Sequence, residues 1–301
     1  MHTVTILMST YNGEKYLKDQ LNSLINQIGV NISVLVRDDG STDSTCEILE
    51  EYRNRMVLTW YSGENIGSAR SFLHLISKAP KTEYYAFCDQ DDIWNDDKLY
   101  RAISMLKSIE NKNLPQLYCS NYQLVDANLN NLPDNGHVST VTFPASLVSS
   151  CCTGCTVVFN YNLLLKLRVG EPSTIVMHDD WAHKVCLAVG GKVIYDSYKS
   201  LKYRQHDKNV DGGVHKISKR ITELSKRIFH KECSRSNQLK ELIRIYCGEL
   251  TEDNLKLLKK VAYYREKGII FRIKLVNSSK IVTPYKKLNV GFKIGVLGKY
   301  F

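Results

Sequence analysis

Short apolar runs alternate with amphipathic segments four times in the first part of this chain. The runs are Val4–Ser9, Ile32–Val36, Val57–Tyr61 and Tyr84–Cys88, and each precedes a segment with helical spacing of its apolar residues. Four strand-then-helix units in succession build a mostly parallel sheet with helices on both faces. We therefore predict an α/β fold.

Polar residues follow each of these predicted strands. In open α/β sheets, ligands bind beyond the carboxyl ends of the strands, so these residues are candidates for a binding site. In chain order they are Tyr11 and Asn12, Asp38 and Asp39, Asn65 and Gly67, and Asp89 to Asp92.

The later part of the chain mixes strands and helices. Strands are predicted at Leu117–Asn121, Cys155–Phe159 and Lys192–Asp196, a helix at Trp181–Val189, and mostly helices from Val214 onward. The charge also divides there. Residues 1–213 hold 20 Lys and Arg against 24 Asp and Glu, whereas residues 214–301 hold 21 against 7. We predict an α/β domain over 1–213 and a basic, mostly helical extension over 214–301.

The basic extension has apolar residues at helical spacing with Lys and Arg between them, from Ile217 to Ile228. Such a helix either binds an anionic membrane surface or packs on the catalytic domain with its charged face in water. We do not expect a nucleic-acid partner, because no recognised motif accompanies the charge.

The sequence also favours the cytoplasm. It has no run of 18 apolar residues and no signal-peptide pattern at Met1 to Ser9. Its nine cysteines are odd in number, and some fall within predicted strands, where Cys usually acts as a small buried apolar residue. We expect a protein that is free in the cytoplasm or peripheral on the inner face of the membrane.

The segment Asp89, Gln90, Asp91, Asp92 places three carboxylates in four positions. They could hold Mg²⁺ or Mn²⁺ with positions open for diphosphate oxygens, or they could form an acidic turn before the next helix. No GxGxxG follows the first strand and no GxxxxGK[ST] occurs, which argues against a dinucleotide fold and a P-loop. Carboxylates with a metal would then bind the phosphates.

Seven motifs of this chain resemble those of glycosyltransferase family 2, the inverting GT-A type, and especially bacterial rhamnosyltransferases of surface polysaccharides. They lie in order between about residues 3 and 213, and their combination is far more specific than any one of them. They are STYNGEKYLKDQLNSL from Ser9, VRDDGSTDST from Val36, GENIGSARSF from Gly63, FCDQDDIWNDDKL from Phe87, TGCTVVFN from Thr153, HDDW from His178 and YRQHDKNVDG from Tyr203.

The resemblance implies a role for individual residues around the donor. The nucleotide pocket would be lined by Thr10, Tyr11, Asn12, Asp38 and Asp39, with Asn65, Gly67 and Arg70 in the loop beside it. The donor sugar and diphosphate would meet Asp89, Gln90, Asp92, Gly154 and Arg204. The metal, Mn²⁺ or Mg²⁺, would be held by Asp91 and Asp89, with His206 as a metal or phosphate ligand. Asp207, after that histidine, departs from the family's small residues.

The HDDW segment resembles the place where the family carries its general base. Two alignments compete: one makes Asp179 the base, which we favour, and the other makes it Asp180. The remaining carboxylate would cap the helix that contains Trp181. A base is needed because an acceptor hydroxyl is a poor nucleophile near neutral pH.

We thus predict an inverting, metal-dependent transferase that moves a sugar, with rhamnose suggested by resemblance alone, from a dTDP- or UDP-sugar to a lipid-linked saccharide. A nucleotidylyltransferase is an alternative, although YNGEKY lacks the Gly-rich, Arg-containing loop of that class. An inactive carbohydrate- or membrane-binding scaffold is another. Cys151, Cys152 and Cys155 near His178 lack the second ligand pair of a zinc motif, so we expect no zinc there.

Overall fold

The computed structural model describes residues 1–133, 139–206 and 234–301. The strands of these residues are β1 His2–Thr10, β2 Val30–Asp38, β3 Leu58–Ser62, β4 Tyr84–Cys88, β5 Ile93–Trp94, β6 Gln116–Val125, β7 Val158–Asn160 and β8 Lys192–Arg204. The α-helices are α1 Leu17–Ile25, α2 Thr45–Arg53, α3 Ser68–Lys78, α4 Lys98–Lys107, α5 Phe143–Ser146, α6 Tyr161–Leu167, α7 His178–Ala188, α8 Ser234–Tyr246, α9 Glu252–Ala262, α10 Ile269–Val276 and α11 Lys286–Gly298.

The strands form one sheet in the order β3-β2-β1-β4-β7-β6-β8-β5. The first four strands are parallel, β7 is antiparallel to both of its neighbours, and β8 returns parallel to β6. The short β5 is antiparallel to β8. The predicted α/β fold with a mostly parallel sheet is therefore confirmed, and the antiparallel strand β7 lies in the half where the sequence signal was weaker.

Two predicted strands differ from the structure. Residues Gly154–Thr156 form a 3₁₀-helix, and the strand begins only at Val158. The turn forms because both the amide and the hydroxyl of Thr156 donate to the carbonyl of Thr153, each at 2.8 Å. The strand predicted at Lys192–Asp196 continues instead to Arg204, so it carries that arginine to the edge where the polar loops lie.

Apolar side chains fill both faces of the sheet. Helices α1, α2 and α4 pack on one face, and α3, α6 and α7 pack on the other. Helices α8 to α11 bury residues such as Leu242 and Val296 in the same apolar core as α3 and α7. The predicted boundary at residue 213 and the stretch from Ile217 to Ile228 lie outside the described residues. None of the described helices is long and apolar enough to cross a lipid bilayer.

Candidate functional site

The loops after β1, β2 and β4 leave the sheet side by side. In the strand register, Thr10 pairs with Asp38 and Met8 pairs with Cys88, so the three strands end near one line. The polar residues that follow these strands in the sequence therefore lie at one edge of the sheet, as expected for a ligand site in this kind of fold.

Asp38 fixes the loop after β2. Its fully buried carboxylate accepts hydrogen bonds from the hydroxyls of Thr10 at 2.9 Å and Ser41 at 2.6 Å, and from the amides of Gly40 at 3.1 Å and Ser41 at 2.9 Å. Several donors to one carboxylate are needed to offset its burial. Asp38 and Thr10 thus hold the loop after β2 in place at the predicted nucleotide pocket.

Asp39 connects the β2 loop to the loop after β3. One of its oxygens accepts from the amides of Ile66 at 3.1 Å and Gly67 at 2.9 Å, and the other forms a buried ion pair with Arg37. The exposed Asn65 accepts from the same Gly67 amide at 3.1 Å. The sequence predicted both groups at the nucleotide pocket, and the structure joins them in one hydrogen-bonded unit.

Tyr11 and Gln90 form a reciprocal pair between the β1 and β4 loops. The Tyr11 amide donates to Gln90 Oε1 at 2.9 Å, and Gln90 Nε2 donates to the Tyr11 carbonyl at 3.0 Å. Asn12 has a φ of 47° and accepts from the Thr42 amide at 2.8 Å. Tyr11 is 47% exposed, so part of its side chain is open to solvent.

The loop after β4 concentrates carboxylates. Burial, then the negative charges of Asp91 and Asp179, raise the pKa of Asp89 to about 7. Burial and the same loop's carboxylates raise the pKa of Asp92 well above its usual value, although the Arg204 amide donates to Asp92 Oδ1 at 3.1 Å. Because burial is the main cause of both shifts, these carboxylates lie in a poorly solvated place where a nearby positive charge would favour their charged forms.

His206 meets this acidic loop directly. Its Nε2 lies 2.7 Å from Asp91 Oδ2, and the two side chains are 14% and 15% exposed. The Tyr16 ring stacks on the imidazole with centroids 4.9 Å apart. The predicted metal residues Asp91 and His206 are thus in contact, although 115 positions separate them in the chain.

Arg204 lies beneath the acidic loop. Its guanidinium donates to the carbonyls of Asp91 at 2.8 Å and Ala127 at 2.9 Å, and to Asp19 Oδ2 at 3.0 Å. Only 3% of the residue is exposed. These contacts support the backbone of the loop, whereas the sequence predicted that Arg204 would bind the donor.

The residue Lys98 was not among the predicted site residues. It is fully buried on the Trp94 ring, 3.7 Å from the ring centroid. Burial lowers its pKa to about 8, while nearby Cys155, Cys88 and Asp92 act in the opposite direction. Among the described residues, the Lys98 ammonium and Asp92 Oδ2 have no hydrogen-bond partner. Lys98 thus places a buried basic group near Asp92.

The two carboxylates at the start of α7 have different surroundings. Asp180 forms an ion pair with Lys184 and accepts from Gln238 Nε2 at 2.5 Å. Burial acts to raise the pKa of Asp180, but Lys184 and Gln238 hold it below its usual value. Asp179 is instead on the side of the acidic loop, where its charge acts on Asp89.

Gly154 leaves room for the start of α7. A Cβ at this position would lie 2.8 Å from His178 Nε2 and 3.9 Å from Asp179 Cβ, so a larger residue would displace the helix start. The His178 ring stacks on Phe72 with centroids 3.8 Å apart, and its burial lowers its pKa to about 3. His178 is therefore a neutral side chain that packs in the core.

Arg70 lies in the first turn of α3, after the loop that contains Asn65 and Gly67. Its Nη2 donates to the carbonyl of Ser173 at 2.7 Å, and the Ser173 amide donates to Glu241 of α8 at 2.8 Å. The segment before α7 is thereby held between α3 and α8. Arg70 is exposed, and its contact with Ser173 is structural.

The model of glycosyl transferase family 2 matches residues 5–159 of this chain. The dTDP-rhamnosyl transferase RfbG of Shigella flexneri is 30% identical over 222 residues, which cover 68% of this chain and 73% of RfbG. The chain belongs to glycosyl transferase family 2. It is a glycosyltransferase. An uncharacterized glycosyltransferase of Rickettsia typhi is 29% identical over 212 residues, covering 68% of this chain and 64% of that protein.

Solved structures show that this family 2 glycosyltransferase has the GT-A fold. TarS 1–349 of S. aureus superposes with a TM-score of 0.59 at 20% identity, covering 98% of this chain and 81% of TarS 1–349. A mannosyltransferase of Pyrobaculum calidifontis, solved in complex with GDP-Man and Mn²⁺, gives a TM-score of 0.56 at 15% identity, covering 98% and 85%.

The donor atoms at the edge of the sheet fit a divalent cation. Carboxylate oxygens from Asp89 and Asp91 and an imidazole nitrogen from His206 are ligand types that suit Mn²⁺, and the oxygens alone suit Mg²⁺, but the ligand atoms that the structure brings within 4.8 Å of one another at this loop are those of Asp89, Asp92 and Cys155. The observation that supports a cation here is the buried Asp92 Oδ2, which has no hydrogen-bond partner among the described residues and which a bound cation would satisfy.

Four residues at the site were missed by the sequence analysis of this family 2 enzyme. Tyr16, Arg37 and Lys98 lie within the quoted motifs but were given no role, and Gln238 belongs to the predicted extension. A Lys in the first turn of a helix could have drawn attention to Lys98, because cations are disfavoured there. The contact between Gln238 and Asp180 spans 58 positions and leaves no pattern in the sequence.

Proposed function

We propose that this glycosyltransferase moves a sugar from a dTDP- or UDP-sugar onto a hydroxyl of a saccharide acceptor, with inversion at the anomeric carbon. Rhamnose is the first donor sugar to test, because RfbG, at 30% identity, is described as a dTDP-rhamnosyl transferase. TarS, which shares the fold, has been solved with UDP and with UDP-GlcNAc. The product would belong to a cell-surface polysaccharide.

The observation that carries the proposal is the convergence of three carboxylates beside the nucleotide loops. Cys155 Sγ lies within 4.8 Å of carboxylate oxygens of Asp89 and Asp92, and a Cβ on the neighbouring Gly154 would lie 3.9 Å from Asp179 Cβ, so the acidic loop after β4 and the start of α7 are adjacent. An inverting displacement needs a base at the acceptor and charge compensation at the leaving diphosphate, on opposite sides of one carbon. The two segments supply candidates for both tasks.

Asp179 would be the general base. Asp180 is engaged by Lys184 and Gln238, and its lowered pKa makes it a weak proton acceptor. Asp179 lies next to Gly154, whose lack of a side chain leaves room for His178 at the start of α7. In the proposed reaction the acceptor hydroxyl gives its proton to Asp179 as its oxygen forms the new glycosidic bond.

The nucleotide would bind over the β1 and β2 loops. Tyr11 would stack on the base, and the unit of Asp39, Arg37 and Gly67 would form the floor of the pocket. Asp89, Asp91 and His206 would hold Mn²⁺ or Mg²⁺, which would offset charge on the leaving diphosphate. Arg204 and Lys98 would keep the acidic loop in place.

A donor panel tests the proposal. The full-length protein is incubated with dTDP-, UDP- and GDP-sugars and a saccharide acceptor in Mn²⁺, and release of nucleotide diphosphate is measured. We expect release with dTDP- or UDP-sugars that rises with acceptor and is lost in Asp179→Asn. The control is Asp253→Asn, an exposed carboxylate of α9. Pyrophosphate formation from a nucleoside triphosphate would identify a nucleotidylyltransferase, and no turnover with any donor would indicate a scaffold.

The last two helices offer a surface for an anionic membrane, where a lipid-linked acceptor would be found. Of the 17 exposed large apolar side chains among the described residues, seven lie between 269 and 297. They are Ile269, Ile270, Ile273, Val282, Val290, Ile294 and Leu297. Basic residues such as Arg272 and Lys293 lie among them, and Arg272 connects the two helices by donating to the Leu297 carbonyl. Apolar and basic residues together suit the interface of an anionic bilayer.

Point variants test the membrane surface. Ile270 is 69% exposed, so Ile270→Asp should leave the fold intact and reduce co-flotation with phosphatidylglycerol-containing vesicles several-fold. Val57→Asp is the matched control, because Val57 is 68% exposed and lies before β3, far from these helices in the chain. Equal flotation of both variants and the wild type would reject the proposed surface.

A further inference from the structure

Three cysteines from distant parts of the chain meet in the core next to α7. Their sulfur atoms lie within 4.8 Å of one another, and Cys119 Sγ is 3.7 Å from Cys151 Sγ. Cys119 comes from β6, whereas Cys151 and Cys152 precede the 3₁₀-helix. All three are buried and none forms a disulfide.

A buried histidine faces this group. The Nε2 of His183, on α7, lies 3.7 Å from Cys151 Sγ. Its other nitrogen, Nδ1, lies 3.0 Å from Ser150 Oγ, and that hydroxyl oxygen also accepts the Cys152 amide at 3.1 Å. In the tautomer whose Nδ1–H donates to Ser150, Nε2 carries a lone pair on the side of Cys151 Sγ. Metal-binding histidines are commonly held by such a second hydrogen bond.

We propose that Cys119, Cys151, Cys152 and His183 bind a structural Zn²⁺ ion. Three thiolates and one imidazole form one of the usual ligand sets of structural zinc, and an open position for substrate is not needed. Binding would release the three thiol protons to solvent.

The distance between the sulfurs of Cys119 and Cys151 agrees with this assignment. Zinc–sulfur bonds of about 2.3 Å in tetrahedral geometry place two sulfurs roughly 3.8 Å apart. The observed 3.7 Å between Cys119 and Cys151 is close to that separation, and far from the ~2.05 Å of a disulfide bond. A group of plain apolar cysteines would not require a fully buried imidazole directed at one of them.

The sequence analysis considered a different set of possible zinc ligands. It grouped Cys151 and Cys152 with Cys155 and His178, which are nearby in the chain, and found no second ligand pair. In the structure Cys155 turns to the acidic loop with Asp89 and Asp92, and His178 packs on Phe72. The ligands that replace them come from β6 and from the next turn of α7.

The proposed zinc site would fix the helix that carries the candidate base. His183 follows Asp179 by four residues, so the two side chains lie on the same side of α7. A metal ion bound there would connect α7 to β6 and to the loop before Gly154. This consequence, unlike the metal site itself, rests on the proposed role of Asp179.

Metal analysis of the full-length protein tests the site. After purification without chelator, inductively coupled plasma mass spectrometry should find about one Zn²⁺ per chain, as expected for a four-ligand structural site. Cys119→Ser and Cys151→Ser should lose most of this zinc, and His183→Ala should bind it more weakly. The matched control is Cys247→Ser, because Cys247 is an exposed cysteine directly after α8.

A second measurement uses the wild-type protein, so that it does not depend on the folding of variants. Replacement of the metal by Co²⁺ should give the intense thiolate-to-cobalt absorption and the visible bands of tetrahedral coordination. A mercurial reagent that blocks thiols should release the ion stoichiometrically. The proposal fails if the protein carries no thiol-bound metal and takes up no Co²⁺ in this way. It also fails if intact mass shows that two of these cysteines form a disulfide.

Discussion

The two aspartates at the start of α7 should affect different properties when each is changed to asparagine: Asp179 the catalytic rate, and Asp180 the stability of the fold. Asp179→Asn keeps the size of the side chain and removes the proposed proton acceptor. Loss of a general base typically costs about 10²- to 10⁴-fold in rate, or roughly 3 to 5.5 kcal/mol in the barrier. We expect that fall in kcat with little change in nucleotide affinity and in melting temperature.

Asp180→Asn should instead act on stability. The substitution leaves Lys184, whose side chain is 7% exposed, without its ion-pair partner, and weakens the contact with Gln238. Removing one member of a buried pair costs about 3 to 5 kcal/mol, because the other charge stays buried. At about 2 °C per kcal/mol for a chain of this size, the melting temperature should fall by roughly 6 °C or more. Activity of the folded fraction should remain near that of the wild type.

Both variants should be measured in the same way. Nucleotide release under saturating donor and acceptor gives kcat, titration calorimetry with the nucleotide gives affinity, and thermal unfolding gives stability. The reasoning would be refuted if Asp180→Asn lost the activity at an unchanged melting temperature while Asp179→Asn remained active. If neither variant lost activity, the base would lie outside this segment.

Three further predictions concern Asp91, Gly154 and Asp196. Asp91→Ala should lower activity at least about tenfold and weaken the dependence on added Mn²⁺, because a metal ligand is lost; full wild-type activity in excess chelator would contradict this. Gly154→Ala should reduce kcat, because the new Cβ would lie 2.8 Å from His178 Nε2 and would displace the start of α7, which carries Asp179. An unchanged kcat would show that the start of α7 can move without loss of activity. Burial acts to raise the pKa of Asp196, but Arg101, Tyr198 and Tyr118 hold it below its usual value, so its stabilisation is present above the unfolded pKa of about 3.9. The gap in unfolding free energy between wild type and Asp196→Asn should therefore be constant near pH 7 and shrink below about pH 4, and urea unfolding at both pH values checks it.

The first half of the fold could be predicted from the sequence because each parallel strand there is a short apolar run that ends in polar residues. The central strands β1 and β4 are buried on both faces, so their apolar pattern is continuous and their ends are visible in the sequence. The second half was harder to predict. β8 extends to Arg204 through half-buried positions, and its later residues alternate without a clear apolar pattern. Its full length became evident only from its pairing with β6.

The candidate site could be predicted where a residue type carries its own chemistry, as the carboxylates of Asp89 and Asp91 do. The roles of Arg204 and Asp180 could not be predicted, because a charged side chain near a site can bind a ligand or support a loop. Burial decides between these roles, and it depends on elements that meet only in three dimensions. The same reason kept Cys119 and His183 out of the cysteine group considered from the sequence.

The basic extension contacts the segment that carries the candidate base through one buried residue. Gln238 of α8 accepts from the Val176 amide at 2.5 Å and donates to Asp180 at 2.5 Å, so it holds both the segment before α7 and the first turn of that helix. Helices α8 to α11 also share a core with α7. Truncation of the extension would therefore disturb the candidate base together with the membrane surface. For this reason only surface variants such as Ile270→Asp can separate membrane binding from catalysis.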